Sequence, residues 1–154
     1  MFHIVDDEDD IREILVELVR ELGYQTQDFG CPLDYLEYAA SDVFEQPHAL
    51  LTDVQMPKMN GYEMLDKLSK IRPEVRTAVI SGYAKYEGEA KVRSCAFLVK
   101  PVDIDRLARL LESFVQCALV GPKANSNDCA VQMDDLGVAR IGWSCPNGSR
   151  CEGC

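Results

Sequence analysis

Short apolar runs alternate with amphipathic stretches along most of the chain. Phe2-His3-Ile4-Val5 is the first run, and it stops at Asp6-Asp7-Glu8. Asp9 or Asp10 is placed to cap a helix, where negative charge also suits the positive end of the helix dipole. Ile11, Ile14, Leu15, Leu18, Val19 and Leu22 then recur at the spacing of a single buried stripe, and Gly23 follows as a stop. Tyr24 to Phe29 alternates imperfectly and predicts an edge strand. Cys31-Pro32 opens a second helix through Leu33, Leu36 and Ala40, which ends before Pro47.

His48 to Thr52 predicts a third strand. It runs into Asp53 and a loop holding Pro57 and Asn60-Gly61, a strong turn signal. Tyr62, Leu65, Leu68 and Ile71 follow at helical spacing, so a helix is expected over Gly61–Ile71. Pro73 breaks it, and Val75 to Ile80 predicts a fourth strand ending in Ser81-Gly82. A weaker helix over Tyr86 to Arg93 carries Gly88, which costs about 1 kcal/mol against alanine. Cys95 to Val99 predicts a fifth strand ending in Lys100-Pro101. Ile104, Leu107, Ala108, Leu111, Val115 and Ala118 mark the last amphipathic helix. Five strands alternating with five helices predict a doubly wound α/β fold, a parallel sheet covered on both faces.

The 47% apolar and 27% charged content suits one ordinary soluble domain with a short appendage. A formal charge of −10 argues against nucleic acid as a direct partner and suits cations or basic protein surfaces. No apolar run approaches the ~18 residues of a membrane span, and acid follows Met1 almost at once, so neither membrane insertion nor a signal peptide is expected. The expected location is cytoplasmic.

The chemistry gathers at strand ends. Asp6 and Asp7 follow the first strand, Asp53 the third, Ser81 the fourth and Lys100 the fifth. In a doubly wound sheet these ends share one edge, where ligands collect. Asp53 alone reads equally as a turn residue or as a nucleophile or metal ligand. Together the residues are more telling. Two carboxylates ~4 Å apart repel by roughly 4 kcal/mol at an effective dielectric of ~20, so three need compensation, either by raised pKa values or by a cation. Lys100 supplies one positive charge and a hard ion such as Mg²⁺ would supply the rest, holding a phosphoryl group beside Asp53 with Ser81 and Lys100 on its other oxygens. Singly, Asp6-Asp7-Glu8 reads as a solvated cap, Lys100 as a surface lysine, Ser81 as a turn residue and Phe97 as core. His3 reads as a partly buried strand residue, and Tyr83 and Tyr86 as residues lapped by solvent.

The ordered set Val5-Asp6-Asp7-Glu8, Asp53 through Gly61, Ser81-Gly82-Tyr83-Ala84 and Phe97-Leu98-Val99-Lys100-Pro101 resembles the receiver domain of two-component response regulators, of the stand-alone, chemotaxis-response-regulator-like kind, over roughly residues 2–119. The resemblance implies a flavodoxin-like sheet of strand order 2-1-3-4-5. It implies phosphoryl transfer to Asp53 from a sensor histidine kinase or a histidine phosphotransfer protein, and an output protein that the sequence does not name. Asp7 and Asp53 would ligate Mg²⁺ directly, Gln55 through its backbone carbonyl and Asp6 mostly through water. Ser81 and Lys100 would contact the phosphoryl oxygens, and Phe97 would be the aromatic switch. Such a domain catalyses only its own phosphorylation and dephosphorylation. Lys100 stands 19 positions after Ser81, about one helical turn short of the family's habit, so the fourth helix should be short or irregular.

Two other readings compete. An Mg²⁺-dependent phosphohydrolase or phosphotransferase using Asp53 as nucleophile lacks a second carboxylate two residues on, where Gln55 stands. Redox or metal sensing draws on the end of the chain. There Gly121 to Asp128 reads as a linker between a domain over 1–120 and a cysteine-rich tail over 129–154. Cys129, Cys145, Cys151 and Cys154 fall in the spacing Cys-x15-Cys-x5-Cys-x2-Cys, which suits Zn²⁺ or an iron–sulfur cluster, a disulfide, or a loose reduced tail.

Overall fold

Each predicted apolar run becomes a strand and each amphipathic stretch a helix. The computed structural model describes residues 1–120. The elements are β1 (Phe2–Val5), α1 (Asp9–Glu21), β2 (Thr26–Phe29), α2 (Pro32–Ala40), β3 (Leu50–Thr52), α3 (Gly61–Ile71), β4 (Thr77–Ser81), α4 (Glu87–Arg93), β5 (Ala96–Val99) and α5 (Ile104–Val120). A 3₁₀ turn, Ala84–Tyr86, precedes α4. The strands form one parallel sheet in the order β2-β1-β3-β4-β5. The imperfectly alternating Thr26–Phe29 is indeed at the edge.

Successive strand residues point to opposite faces, which splits the core in two. Phe2, Ile4, Leu51, Ile80 and Leu98 pack on one face with Leu15 and Val19 of α1 and Leu107, Leu111 and Phe114 of α5. Val5, Leu50, Val79 and Phe97 pack on the other with Tyr35, Leu65, Leu68 and Ala90 from α2, α3 and α4. Strands covered on both faces have no polar side to show, so they read as continuous apolar runs rather than alternating ones.

The helix ends follow their local chemistry. Pro32 sits in the first turn of α2, where its missing N–H costs nothing. Asn60 caps α3, its side chain accepting from Glu63 N while the Glu63 carboxylate accepts from Asn60 N. Gly23 takes φ +88° directly after α1.

Several expectations need correcting. The residue preceding α1 is Glu8, whose side chain makes no capping bond; Asp9 and Asp10 lie inside the first turn. The reason lies upstream, where Asp6 Oδ1 accepts from Glu8 N and starts the turn itself. The buried arc of α1 is Leu15, Val16 and Val19, whereas Ile14 is 54% exposed. Ile14 instead lines a groove shared with Lys100, Pro101 and Val102, which follow β5. His3 is fully buried, not partly, because α2 and the segment after it close over the sheet edge with Tyr35, Tyr38 and Phe44. Tyr83 is exposed as expected, but Tyr86 is half-buried because Tyr62 holds its carbonyl. The linker over 121–128 and Cys129, Cys145, Cys151 and Cys154 lie outside the described residues.

Candidate functional site

The carboxyl ends of β1, β3, β4 and β5 converge because the sheet is parallel and those four strands are neighbours. Asp53 follows β3 directly, its N–H donating to Val5 O at 3.0 Å. The Thr52 hydroxyl donates to the Asp53 carbonyl. The next turn doubles back so tightly that a Cβ on Gly61 would lie 2.1 Å from the Asp53 carbonyl oxygen. Only glycine fits there, and the close approach is sealed by Gly61 N donating to Val54 O. Lys58 takes φ +68° in the same turn.

The side chains form a compact charge constellation. Asp53 is 6% exposed; its Oδ2 accepts from Gln55 N at 2.7 Å and its Oδ1 lies 3.3 Å from Lys100 Nζ. Asp6 is 2% exposed, with Oδ2 2.8 Å from the same ammonium. Lys100 therefore bridges two buried carboxylates brought together from the ends of β1 and β3. Burial pushes the Asp53 carboxyl above its ordinary pKa, though Lys100 and the Gln55 N–H work against this and Asp6 adds to it. Burial would lower the Lys100 ammonium, but Asp6 and then Asp53 outweigh it and hold it above the usual lysine value.

Ser81 is buried at the end of β4, its Oγ accepting weakly from Tyr83 N at 3.4 Å. Its carbonyl takes the Lys100 N–H at 2.9 Å, which locks the ends of β4 and β5 together. The Lys100–Pro101 peptide is cis. Phe97 sits opposite Val79 in the sheet and is buried against the α3–α4 side. Gln55 is exposed and lies with Asp7 along a cleft of about 650 Å³ between the β3–α3 loop, α3 and α4.

The expected residues Asp6, Asp53 and Lys100 are thus in direct contact, Ser81 is tied to Lys100 through the backbone, and Phe97 lies one strand behind. Among the described residues the Asp7 Oδ1 is buried without a hydrogen-bond partner. Among the described residues, no three His, Cys, Asp or Glu side chains gather closely enough to hold a metal alone. Mg²⁺ does not require that, since it takes one or two carboxylates with waters and phosphate oxygens. An orphaned carboxylate oxygen beside an exposed backbone loop suits such an ion.

The sequence alone did not disclose three parts of the site. Arg12, spaced like any exposed helix residue, reaches the Asp6 carbonyl. Gly61 is demanded by a backbone approach instead of by a turn. Tyr62 donates its hydroxyl to Tyr86 O across the cleft wall, and Arg93 stacks on the Tyr62 ring. Arg12 and Tyr62 carry no motif, and the Asn60-Gly61 turn signal marks Gly61 without disclosing its contact with the Asp53 carbonyl.

A relative from Bacillus subtilis, the sporulation initiation phosphotransferase F, is 29% identical over 115 residues, 73% of this chain and 90% of the relative. An uncharacterized response regulatory protein of Staphylococcus epidermidis is 29% identical over 135 residues, 84% of this chain; the chain spans about half, 53%, of that relative's length. Among solved structures, the receiver domain of the hybrid histidine kinase CckA aligns with a TM-score of 0.62 at 28% identity, covering 75% of this chain and 98% of that one. The response regulator TrrA from Thermotoga maritima, solved with Mg²⁺ and BeF, shares the fold with a TM-score of 0.66 at 22% identity over 73% of this chain and 96% of that one. No helix among the described residues is long and apolar enough to cross a membrane. The model of the response regulator receiver domain matches residues 2–112, and the chain belongs to that family.

Proposed function

We propose that the chain is a phosphoacceptor of a two-component pathway, taking a phosphoryl group from a phosphohistidine onto Asp53 and altering a protein-binding surface in response. The observation that carries the reading is a buried aspartate at a strand end, held from one side by a backbone N–H and from the other by Lys100. An Asp53 carboxylate oxygen attacks phosphorus as the bond to the imidazole nitrogen breaks, and the electron pair leaves on that nitrogen. Asp6 and Asp53 hold Lys100 charged, so that it can neutralise the phosphoryl oxygens as the transfer proceeds. The Ser81 hydroxyl, bonded only weakly to Tyr83 N, is free to turn toward the same oxygens. Mg²⁺, when bound, would add charge neutralisation; Asp7, Asp53 and the Gln55 carbonyl are the residues to hold it, with Asp6 acting through water. Phe97 then follows Ser81 as the buried ring of the switch.

The reading gains support from the phosphotransferase named among the relatives and from the Mg²⁺-BeF complex named among the structural neighbours. An apolar groove of about 210 Å³ beside Lys100, walled by Ile11, Ile14, Leu18, Pro101 and Val102, suits the helix that would present the histidine. Redox or metal sensing through the terminal cysteines gains no support from those relatives. The domain over 1–120 is the signalling unit in this proposal. Acetyl phosphate with Mg²⁺ should add one phosphoryl mass to the wild type, none to Asp53→Ala, and none to wild type in chelator. Equal labelling of both proteins would sink the proposal.

A further inference from the structure

Arg12 stands on the first turns of α1, with its side chain 17% exposed, and its guanidinium serves three stretches of chain at once. Nη1 donates to the Asp6 carbonyl at 2.8 Å. Nη2 meets Asp9 Oδ1, and Nε donates to Asp28 Oδ2 at 3.1 Å. The space it occupies is left by Gly30, where a Cβ would lie 2.9 Å from Nη1. The guanidinium therefore ties the acidic loop after β1 both to α1 and to the end of β2. A planar fork with several donors does this; a lysine ammonium cannot span three acceptors in these directions.

We infer that Arg12 is a positioning residue for the metal: by fixing the Asp6 carbonyl it sets the direction in which Asp6 and Asp7 present their carboxylates to Mg²⁺. The inference rests on the proposed Mg²⁺ reading. Its sign separates it from simple electrostatics. A positive charge near a cation site weakens binding, so removing Arg12 would tighten Mg²⁺ if charge were its only contribution. Loss of an outer-shell group that orients ligands instead weakens metal binding, typically about 10–100-fold.

The test is a Mg²⁺ titration of the full chain, followed by amide chemical shifts, for wild type, Arg12→Ala, Arg12→Lys and Gly30→Ala. Arg12→Ala and Arg12→Lys should each weaken Mg²⁺ about tenfold or more, with no rescue by the lysine. Gly30→Ala keeps the charge and displaces only the end of a flexible side chain, so it should fold and weaken Mg²⁺ in the same direction. Urea unfolding of each protein separates a purely structural role, which would lower stability without moving the affinity of the folded molecules. Unchanged or tighter Mg²⁺ binding in Arg12→Ala, or in Gly30→Ala where Arg12→Ala does not fold, overturns the inference while leaving the phosphoacceptor reading intact. A wild type that binds no Mg²⁺ removes both.

Discussion

His3 should make this domain lose stability in mild acid. The ring is fully buried, with Nδ1 3.3 Å from the Tyr35 hydroxyl and Nε2 without a hydrogen-bond partner. Phe29, Tyr35, Tyr38 and Phe44 meet it at steep angles, with centroids 5.7–6.3 Å away, so a charged imidazolium would sit among hydrocarbon. Burial accordingly pulls its pKa from 6.5 down to about 4. The unfolded chain takes up a proton as pH falls through 6.5, whereas the folded protein does not until about 4. The unfolded state binds more protons throughout that window, so stability falls as pH falls. Integration gives a loss of about 2 kcal/mol by pH 5 and about 3 kcal/mol by pH 4, relative to pH 7. Urea unfolding of wild type and His3→Gln at those pH values isolates the contribution, because the carboxylates and His48 titrate in both proteins and cancel in the difference. The wild type should lose those amounts relative to the variant. A difference between the two that stays constant from pH 7 to pH 4 would refute the reasoning.

Two further outcomes follow from the site itself. Gly61→Ala forces a methyl against the Asp53 carbonyl at 2.1 Å; it should cost about 1–3 kcal/mol or more in urea unfolding and slow labelling of Asp53, whereas a stable, fully labelled variant would contradict the packing. Asp53→Asn removes a buried carboxylate whose folded pKa is raised. Such a group contributes less stability as pH rises through its folded pKa, so the variant should be the more stable protein at pH 7 without Mg²⁺ and lose that advantage in acid. A variant less stable than wild type at neutral pH would contradict that assignment of the charge.

Much of the fold was legible because its elements obey period rules that need no tertiary knowledge. The runs at Phe2–Val5, Leu50–Thr52 and Thr77–Ser81 are buried throughout and mostly apolar, as strands covered on both faces are. Asp53 and Lys100 were legible as strand-end residues because a parallel sheet gathers such ends mechanically. The short α4, seven residues behind a 3₁₀ turn, follows from the reduced interval between Ser81 and Lys100. Illegible features were those decided by which elements face each other. Periodicity could not show that Ile14 would flank a groove while Val16 went inside, since both fit an amphipathic helix. Arg12 and Tyr62 act through backbone carbonyls, an acceptor every residue carries, so no residue type marks their partners in advance. His3 looked half-buried because its covering rings come from Tyr35, Tyr38 and Phe44, distant in sequence and recruited only when α2 docks.

The central claim is that Asp53 is the nucleophile, and one measurement reads this atom directly. The full chain is treated with acetyl phosphate and Mg²⁺, reduced with borohydride and mapped by peptide mass spectrometry. Borohydride converts an aspartyl phosphate to homoserine and leaves free carboxylates, serine phosphates and histidine phosphates unreduced. Homoserine is expected at position 53 and at no other aspartate. Homoserine at Asp6 or Asp7 with Asp53 intact, or a phosphoryl group retained on Ser81 or His48, would contradict it.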